Sequence, residues 1–197
     1  MKEIETHPLH PFLPENARIL MLGSFPPKKE KWSMEFFYPN FINDMWRIFG
    51  IVFFSDRQHF ITENEKKFDR ERIIEFCKDK GIALYDSATK VVRLKDNASD
   101  KFLEVVERTD LKELLFLIPL CETIVTTGEK ATDNVCSVFG CKAPLTGEST
   151  EFCFTDKSGS SRHIKFFRMP SSSRAYPLSL DKKAEKYKDM FHKAGLI

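Results

Sequence analysis

A chain of 197 residues, 42% of them hydrophobic and 19 of them phenylalanine, is long enough for one domain with a core that needs no staples. Its formal net charge of +2 neither demands nor excludes a nucleic-acid partner, because local clustering of charge decides binding. The five cysteines, Cys77, Cys121, Cys136, Cys141 and Cys153, show no C-x-x-C spacing, which argues for free thiols in a reducing compartment and against a disulfide framework or a metal site.

The chain opens on "MKEIETHPLHPF", which has no apolar stretch of signal-peptide type, and no later run reaches transmembrane length. A cytoplasmic protein with no membrane partner is expected. "ARILMLGSFPP" predicts a buried strand over residues 18–22 that breaks at Gly23 into a proline-stiffened loop. "NDMWRIFG" predicts a short helix with Met45, Trp46 and Phe49 as its apolar residues and Gly50 as its stop. "NEKKFDRERIIEFCKDKG" reads as a charged surface helix that buries Ile73, Ile74 and Cys77 and closes at Gly81. "IALYDSA" comes next as a second buried strand ending at Asp86.

"DKFLEVVERT" is expected to be helical, with Phe102, Val105 and Val106 on one face. "DLKELLFLI" repeats that logic, with Asp110 as N-cap and Leu111, Leu114, Leu115 and Ile118 inward. A third strand, "ETIVTTG", leads into the helix "EKATDNVCSVFG", whose inward residues are Ala131, Val135, Val138 and Phe139. "TEFCFT" and "RHIKFFRMP" flank the turn "DKSGSS" as a hairpin, and a last helix over residues 180–194 buries Ala184, Tyr187 and Phe191.

Buried strands alternating with amphipathic helices imply an α/β fold with a mainly parallel sheet, in a single domain over residues 1–197. Ligands of such sheets lie outside the carboxyl ends of the strands. The loops beginning at Gly23, Asp86, Gly128 and Met169 are therefore the places to look. "GSFPPKKEKW" offers backbone N–H groups suited to a carbonyl or oxyanion, or it is a plain turn. It lacks the glycine spacing of dinucleotide and P-loop sites. "MPSSSRAYP" offers hydroxyls and amides for phosphates, with Arg174 as a charge or wedge, or it is a polar loop capping the last helix. Between them in the chain, "FFYPNFINDMW" sets Asn40 and Asn43 among aromatic rings. Asn43 suits the N-cap of the adjoining helix, and Tyr38 suits either the core or a stacking role. Asp86 can orient water or cap the next element, and the cap is the preferred reading. Lys28, Lys29 and Lys31 can track phosphates or stay solvated. His59, His163 and His192 have no partners at catalytic spacing and are read as structural.

Taken in order, "LMLGSFPP", "FYPNFINDMW", "GIALYDSA" and "MPSSSRA" resemble the uracil-DNA glycosylase superfamily, from residue 19 to the last helix. The chain looks closest to the hypoxanthine-DNA and mismatch-specific (thymine-DNA) branches. The resemblance implies a three-layer α/β/α sandwich with a short, mainly parallel central sheet and a DNA-facing cleft. It implies a monofunctional DNA glycosylase of base excision repair, acting on uracil, hypoxanthine or mismatched thymine in DNA, with no cofactor and no metal. A flipped base needs a ring to stack on, donors for its oxygens and a group that positions water at C1′. Many members carry a catalytic Asn or Asp beside the glycine of the first motif. Here Ser24 and Phe25 stand there, and similarity to the hypoxanthine branch transfers the catalytic role to Asn43. By the same resemblance Gly23, Ser24 and Phe25 bind the base, Tyr38 stacks on it, and Asn40, where relatives often carry histidine, bears on base preference. Lys28, Ser171, Ser172, Ser173 and Arg174 would hold the DNA, with Arg174 or Tyr176 as the inserted side chain. A monomer is expected. The rivals are a non-catalytic nucleic-acid binder on the same fold, motivated by the missing acid or amide beside Gly23, and a hydrolase of nucleosides or nucleotides.

Overall fold

The computed structural model describes residues 3–63, 65–94 and 102–197. Its elements run β1 (Ile4–Thr6), β2 (Ile19–Gly23), α1 (Met45–Phe54), α2 (Arg70–Lys80), β3 (Ile82–Asp86), β4 (Ala88–Arg93) and β5 (Leu103–Arg108). They continue with α3 (Leu111–Leu117), β6 (Thr123–Thr126), α4 (Glu129–Phe139), β7 (Glu148–Thr155), β8 (Ser161–Arg168) and α5 (Leu180–Lys193). A five-stranded sheet has the order β3-β2-β6-β8-β7. Its first four strands are parallel, and β7 adds an antiparallel edge through the hairpin expected around "DKSGSS". Every residue of β2, β3 and β6 is buried, the state of parallel strands covered by helices on both faces. On one side α1 packs against α5, and Phe49 of α1 meets Phe76 of α2 and Phe191 of α5 edge to face. On the other side α3 packs against α4. The result is the expected three-layer α/β/α arrangement, and the abundant phenylalanines form its core.

The chain leaves β2 toward β3 on one side and later returns to β6 on the other. The crevice at the carboxyl ends of β2 and β6 is thus the switch point of the sheet, where loops diverge and leave room for a ligand.

Expectations fail at β5 and at α1, each for a physical reason. The segment expected to be helical around Phe102, Val105 and Val106 is strand β5 from Leu103 to Arg108, while Asp100 and Lys101 lie outside the described residues. Leu103 is buried and Val105 half-buried, with exposed residues between and after them. The β-branched pair Val105–Val106 favours an extended chain when a partner strand is at hand. That partner is β4, which also pairs with β1, giving a three-stranded antiparallel sheet of order β1-β4-β5 with no counterpart in the sequence reading. Gly50, read as the stop of α1, lies inside that helix, which ends at the left-handed Ser55 (φ 56°). A Cβ on Gly50 would overlap the carbonyl oxygen of Asp56, whose N–H returns to bond Gly50 O at 3.1 Å. Glycine is there for close approach, not for termination.

The other helices obey their capping signals. Asp69 accepts from Arg72 N–H and Gly81 closes α2 at φ 64°, so that helix begins at Arg70, later than the charged run suggested. Asp110 accepts from Glu113 N–H and Ser179 from Lys182 N–H. Ala184, Tyr187 and Phe191 of α5 are buried as expected. Among the described residues no helix is long and apolar enough to cross a membrane.

Candidate active site

At the carboxyl ends of β2, β3, β6 and β8 lies a cleft of about 230 Å³. That is below the roughly 300–1,000 Å³ of pockets for drug-sized ligands and suits a single heterocycle. Four strand ends and the aromatic segment converge on it. Gly23, Ser24 and Phe25 come from the end of β2, Asp86 from β3, and Thr127 from β6. Tyr38, Asn40 and Asn43 come from the segment before α1, and Ser171, Ser172, Ser173 and Arg174 from the loop after β8. Every expected site residue except Lys28 therefore lines one space. Lys28 is exposed ahead of a single 3-10 turn at Lys29–Lys31 and does not line the cleft, and neither does Tyr176. Nothing in the sequence singles out Ile42, yet it stands at the cleft with 57% of its surface exposed.

The aromatic segment is locked by its own backbone. Trp46 is buried, and its Nε1–H donates to Phe37 O at 3.0 Å. Tyr38 adopts φ 51°, a left-handed conformation that a bulky residue takes only when its surroundings impose it. Its ring meets Trp46 edge to face at 6.2 Å, and its hydroxyl lies 3.2 Å from Thr127 Oγ1. Asn40 Oδ1 accepts Ile42 N–H at 3.1 Å in a local turn. Asn43 Oδ1 accepts Met45 N–H at 2.9 Å. By backbone position Asp44 is the N-cap of α1, but its side chain caps nothing. Asn43 does that work one residue earlier, and its carbonyl keeps a second lone pair for a further donor. Arg47 donates to Phe41 O at 2.7 Å and Asn43 O at 3.0 Å. Burial first, and then the neighbouring Arg174, lower its pKa, with Asp44 acting in the opposite direction.

The wall opposite is built on a buried ion pair that the sequence does not announce. Lys183 of α5 is fully buried, and its Nζ donates to Asp44 Oδ2 at 2.9 Å and to Ser173 O at 2.7 Å. Arg174, about half-exposed, approaches Asp44 Oδ1 at 3.4 Å. Asp44 N–H donates to Ser172 O at 2.9 Å, and the buried Tyr187 hydroxyl donates to Pro170 O at 2.9 Å. Burial raises the pKa of Tyr187 well above its ordinary value, with Tyr38 as a lesser cause, and keeps it a donor. Ser171 Oγ accepts Ser173 N–H and Ser173 Oγ accepts Ala175 N–H. Both hydroxyls thus shape the loop as acceptors and keep their own hydrogens for an incoming oxygen.

The floor of the cleft departs most from expectation. Asp86 caps nothing: the element after it is strand β4, not a helix. Its Oδ2 lies 2.9 Å from Nε2 of His7, a residue that the sequence places in no motif. His7 sits one residue past β1, its N–H bonded to Thr89 O of β4 at 2.8 Å. The small antiparallel sheet thereby delivers the imidazole to the floor of the large one. Phe25, Phe37 and Tyr85 surround the ring at 5.3, 6.3 and 4.8 Å. Burial, and secondarily the charge of Asp86, raise the Tyr85 pKa. Arg93 of β4 pairs with Glu5 at 2.9 Å and donates to Pro26 O at 3.1 Å, tying the same small sheet to the loop after β2.

No protein-family model matches the chain, and no curated protein matches it. Among solved structures the chain is similar to a protein from Methanosarcina acetivorans, determined by solution NMR and provisionally described as a uracil DNA glycosylase. The two share 22% sequence identity with a TM-score of 0.62, over 98% of this chain and 99% of that one. At that identity the likeness establishes a common fold, which is the α/β/α sandwich that carries the cleft.

Proposed function

We propose that the chain is a monofunctional DNA glycosylase that hydrolyses the N-glycosidic bond of a deaminated or mismatched base flipped into this cleft. One observation carries the reading: the four motif-bearing segments, far apart in the chain, line a single base-sized space at the switch point of the sheet. In the reaction a water oxygen bonds to C1′ and the C1′–N bond breaks with its electron pair going to the base. Backbone amides at Ser24 and Phe25 would bind the base oxygen, where negative charge grows as the bond breaks, and so count most in the transition state. Tyr38 would stack on the base and Asn43 would position the water through its remaining lone pair. Ser171, Ser173 and Arg174 would hold the phosphates, and Lys28 would add a more distant contact. The protein would act as a monomer, on uracil, hypoxanthine or mismatched thymine in DNA.

The test uses duplex and single-stranded oligonucleotides carrying one uracil, hypoxanthine or mismatched thymine, incubated with protein and then treated with hot alkali. Cleavage at the lesion that drops at least about 100-fold in Asn43→Ala is expected of a group that orients the nucleophile. Asn43→Ala with full activity, and a melting temperature lowered only as for a lost cap of about 1 kcal/mol, would remove Asn43 from the chemistry. Salt-sensitive binding without cleavage on any lesion would make the chain a binding module, and base release from free nucleosides alone would make it a small-molecule hydrolase.

A further inference from the structure

Of the large apolar side chains exposed among the described residues, Ile42 alone lines the cleft. An isolated exposed isoleucine is ordinary on a protein surface. What sets this one apart is how firmly the chain holds it out, and where.

Asn43 N–H donates to Asn40 O at 2.8 Å, closing a turn over residues 40–43, and Asn40 Oδ1 accepts Ile42 N–H at 3.1 Å inside it. The carbonyls on either side of Ile42 are taken by one guanidinium. Arg47 Nη1 donates to Phe41 O at 2.7 Å and to Asn43 O at 3.0 Å. The same guanidinium lies over the rings of Phe41 at 4.6 Å and Phe68 at 5.2 Å, and is fixed by them. Helix α1 follows at once, because Asn43 Oδ1 accepts Met45 N–H. Ile42 therefore stands on a turn whose backbone groups are satisfied within the protein, and its branched Cβ restricts its rotamers. Such a side chain gives up little conformational entropy when a partner covers it.

Of the residues that line the cleft, only Ile42, Ser173, Arg174 and Ala175 are exposed, so these four form its mouth. A base drawn into the cleft leaves a gap one base thick in the duplex. The side chain that fills such a gap is apolar, long enough to reach between base pairs, and held at the mouth. Ser173 is polar, and Ala175 is a single methyl. Arg174 would have to give up Asp44, 3.4 Å away, and its water to enter an apolar stack, whereas a phosphate keeps it hydrated. Tyr176 does not line the cleft. Ile42 has nothing polar to surrender.

We infer that Ile42 enters the base stack of the duplex and fills the gap left by the flipped nucleotide, while Ser173 and Arg174 of the loop after β8 hold the phosphates. The inference rests on the glycosylase reading and names how that site reaches a paired base. Ile42 takes part in no bond making or breaking. It is a positioning residue: it keeps the lesion out of the stack and, joined directly to Asn43, brings the nucleotide into register with the residue proposed to position the water.

Single-turnover base release is measured for wild type, Ile42→Ala and Ile42→Leu on duplexes carrying uracil opposite adenine or hypoxanthine opposite cytosine. The same lesions are then placed opposite a pyrene nucleotide, whose rings fill the space of a whole base pair and displace the lesion by themselves. Ile42→Ala is expected to lose about 10- to 100-fold on the paired lesion, the effect of removing three carbons from a covered side chain, and to come within about threefold of wild type opposite pyrene. Ile42→Leu keeps the apolar bulk and stays within about threefold on both. Because the side chain is exposed, the variants should melt with wild type, so that a lost rate is not a lost fold. Ile42→Ala at the wild-type rate on the paired lesion overturns the inference. So does an equal loss on both duplexes, which would place the effect on the chemistry through Asn43, and so does wild-type release from single strands alone. Each of these leaves the glycosylase reading intact, whereas wild-type protein that releases no base from any lesion overturns both.

Discussion

The cleft contains two aspartates held by cations or a cationizable ring, and they are arranged differently. Asp44 is 4% exposed, with Lys183 on one oxygen and Arg174 near the other. Asp86 is comparably buried, and among the described residues only its Oδ2 has a hydrogen-bond partner. A carboxylate whose two oxygens are both engaged by the protein is a girder. It joins the start of α1, the loop after β8 and helix α5, the three parts that must keep their spacing for the cleft to exist. The same residue type is thus held in two ways, and the difference is read from its partners, not from burial.

That contrast can be broken by removing each cation. The largest effect on stability is expected from Lys183→Met, which leaves Asp44 buried without its main partner at a cost of about 3–5 kcal/mol. Adding Asp44→Leu to Lys183→Met should restore a substantial part of that loss, since an apolar pair of similar volume is often tolerated where an ion pair stood. Urea denaturation of the single and double variants measures both. Equal destabilisation of the two would show that the ion pair is not what holds the wall. Asp86→Asn, in contrast, keeps an acceptor for His7 and should change stability by less than about 1 kcal/mol. The smallest effect is expected from Arg174→Ala. Its side chain is 56% exposed, so stability should change by no more than about 0.5 kcal/mol. If Arg174 contacts phosphate, the slope of log affinity against log salt for duplex DNA should fall by about one; an unchanged slope would place Arg174 off the DNA.

The two aspartates also mark how much of the site is legible in the chain alone. The strand-end loops at Gly23 and Met169 and the segment from Tyr38 to Asn43 are legible because each is a local signal: a strand, a break and a run of specific residue types. Asp86 is visible as a strand-terminal residue, but its partner lies 79 residues away and Lys183 lies 139 residues from Asp44. No periodicity encodes such pairs. His7 is hidden further by β1, a three-residue strand that exists only because β4 lies beside it. The same small sheet accounts for the segment around Val105, where a short apolar pattern fits either a helix or a strand and tertiary pairing decides. Gly50 shows the converse limit. A glycine near a helix end reads as a stop, and only the returning Asp56 carbonyl reveals that it marks a close approach.

The central claim is that this cleft hydrolyses an N-glycosidic bond in DNA. It is tested most directly in ¹⁸O-labelled water, with a duplex carrying a single uracil or hypoxanthine and the products read by mass spectrometry. The account predicts one equivalent of unlabelled free base per duplex and an abasic sugar that has gained one ¹⁸O at C1′, measured at early times against a chemically made abasic duplex as control for exchange. Intact DNA with every lesion, from protein that remains folded, would contradict it.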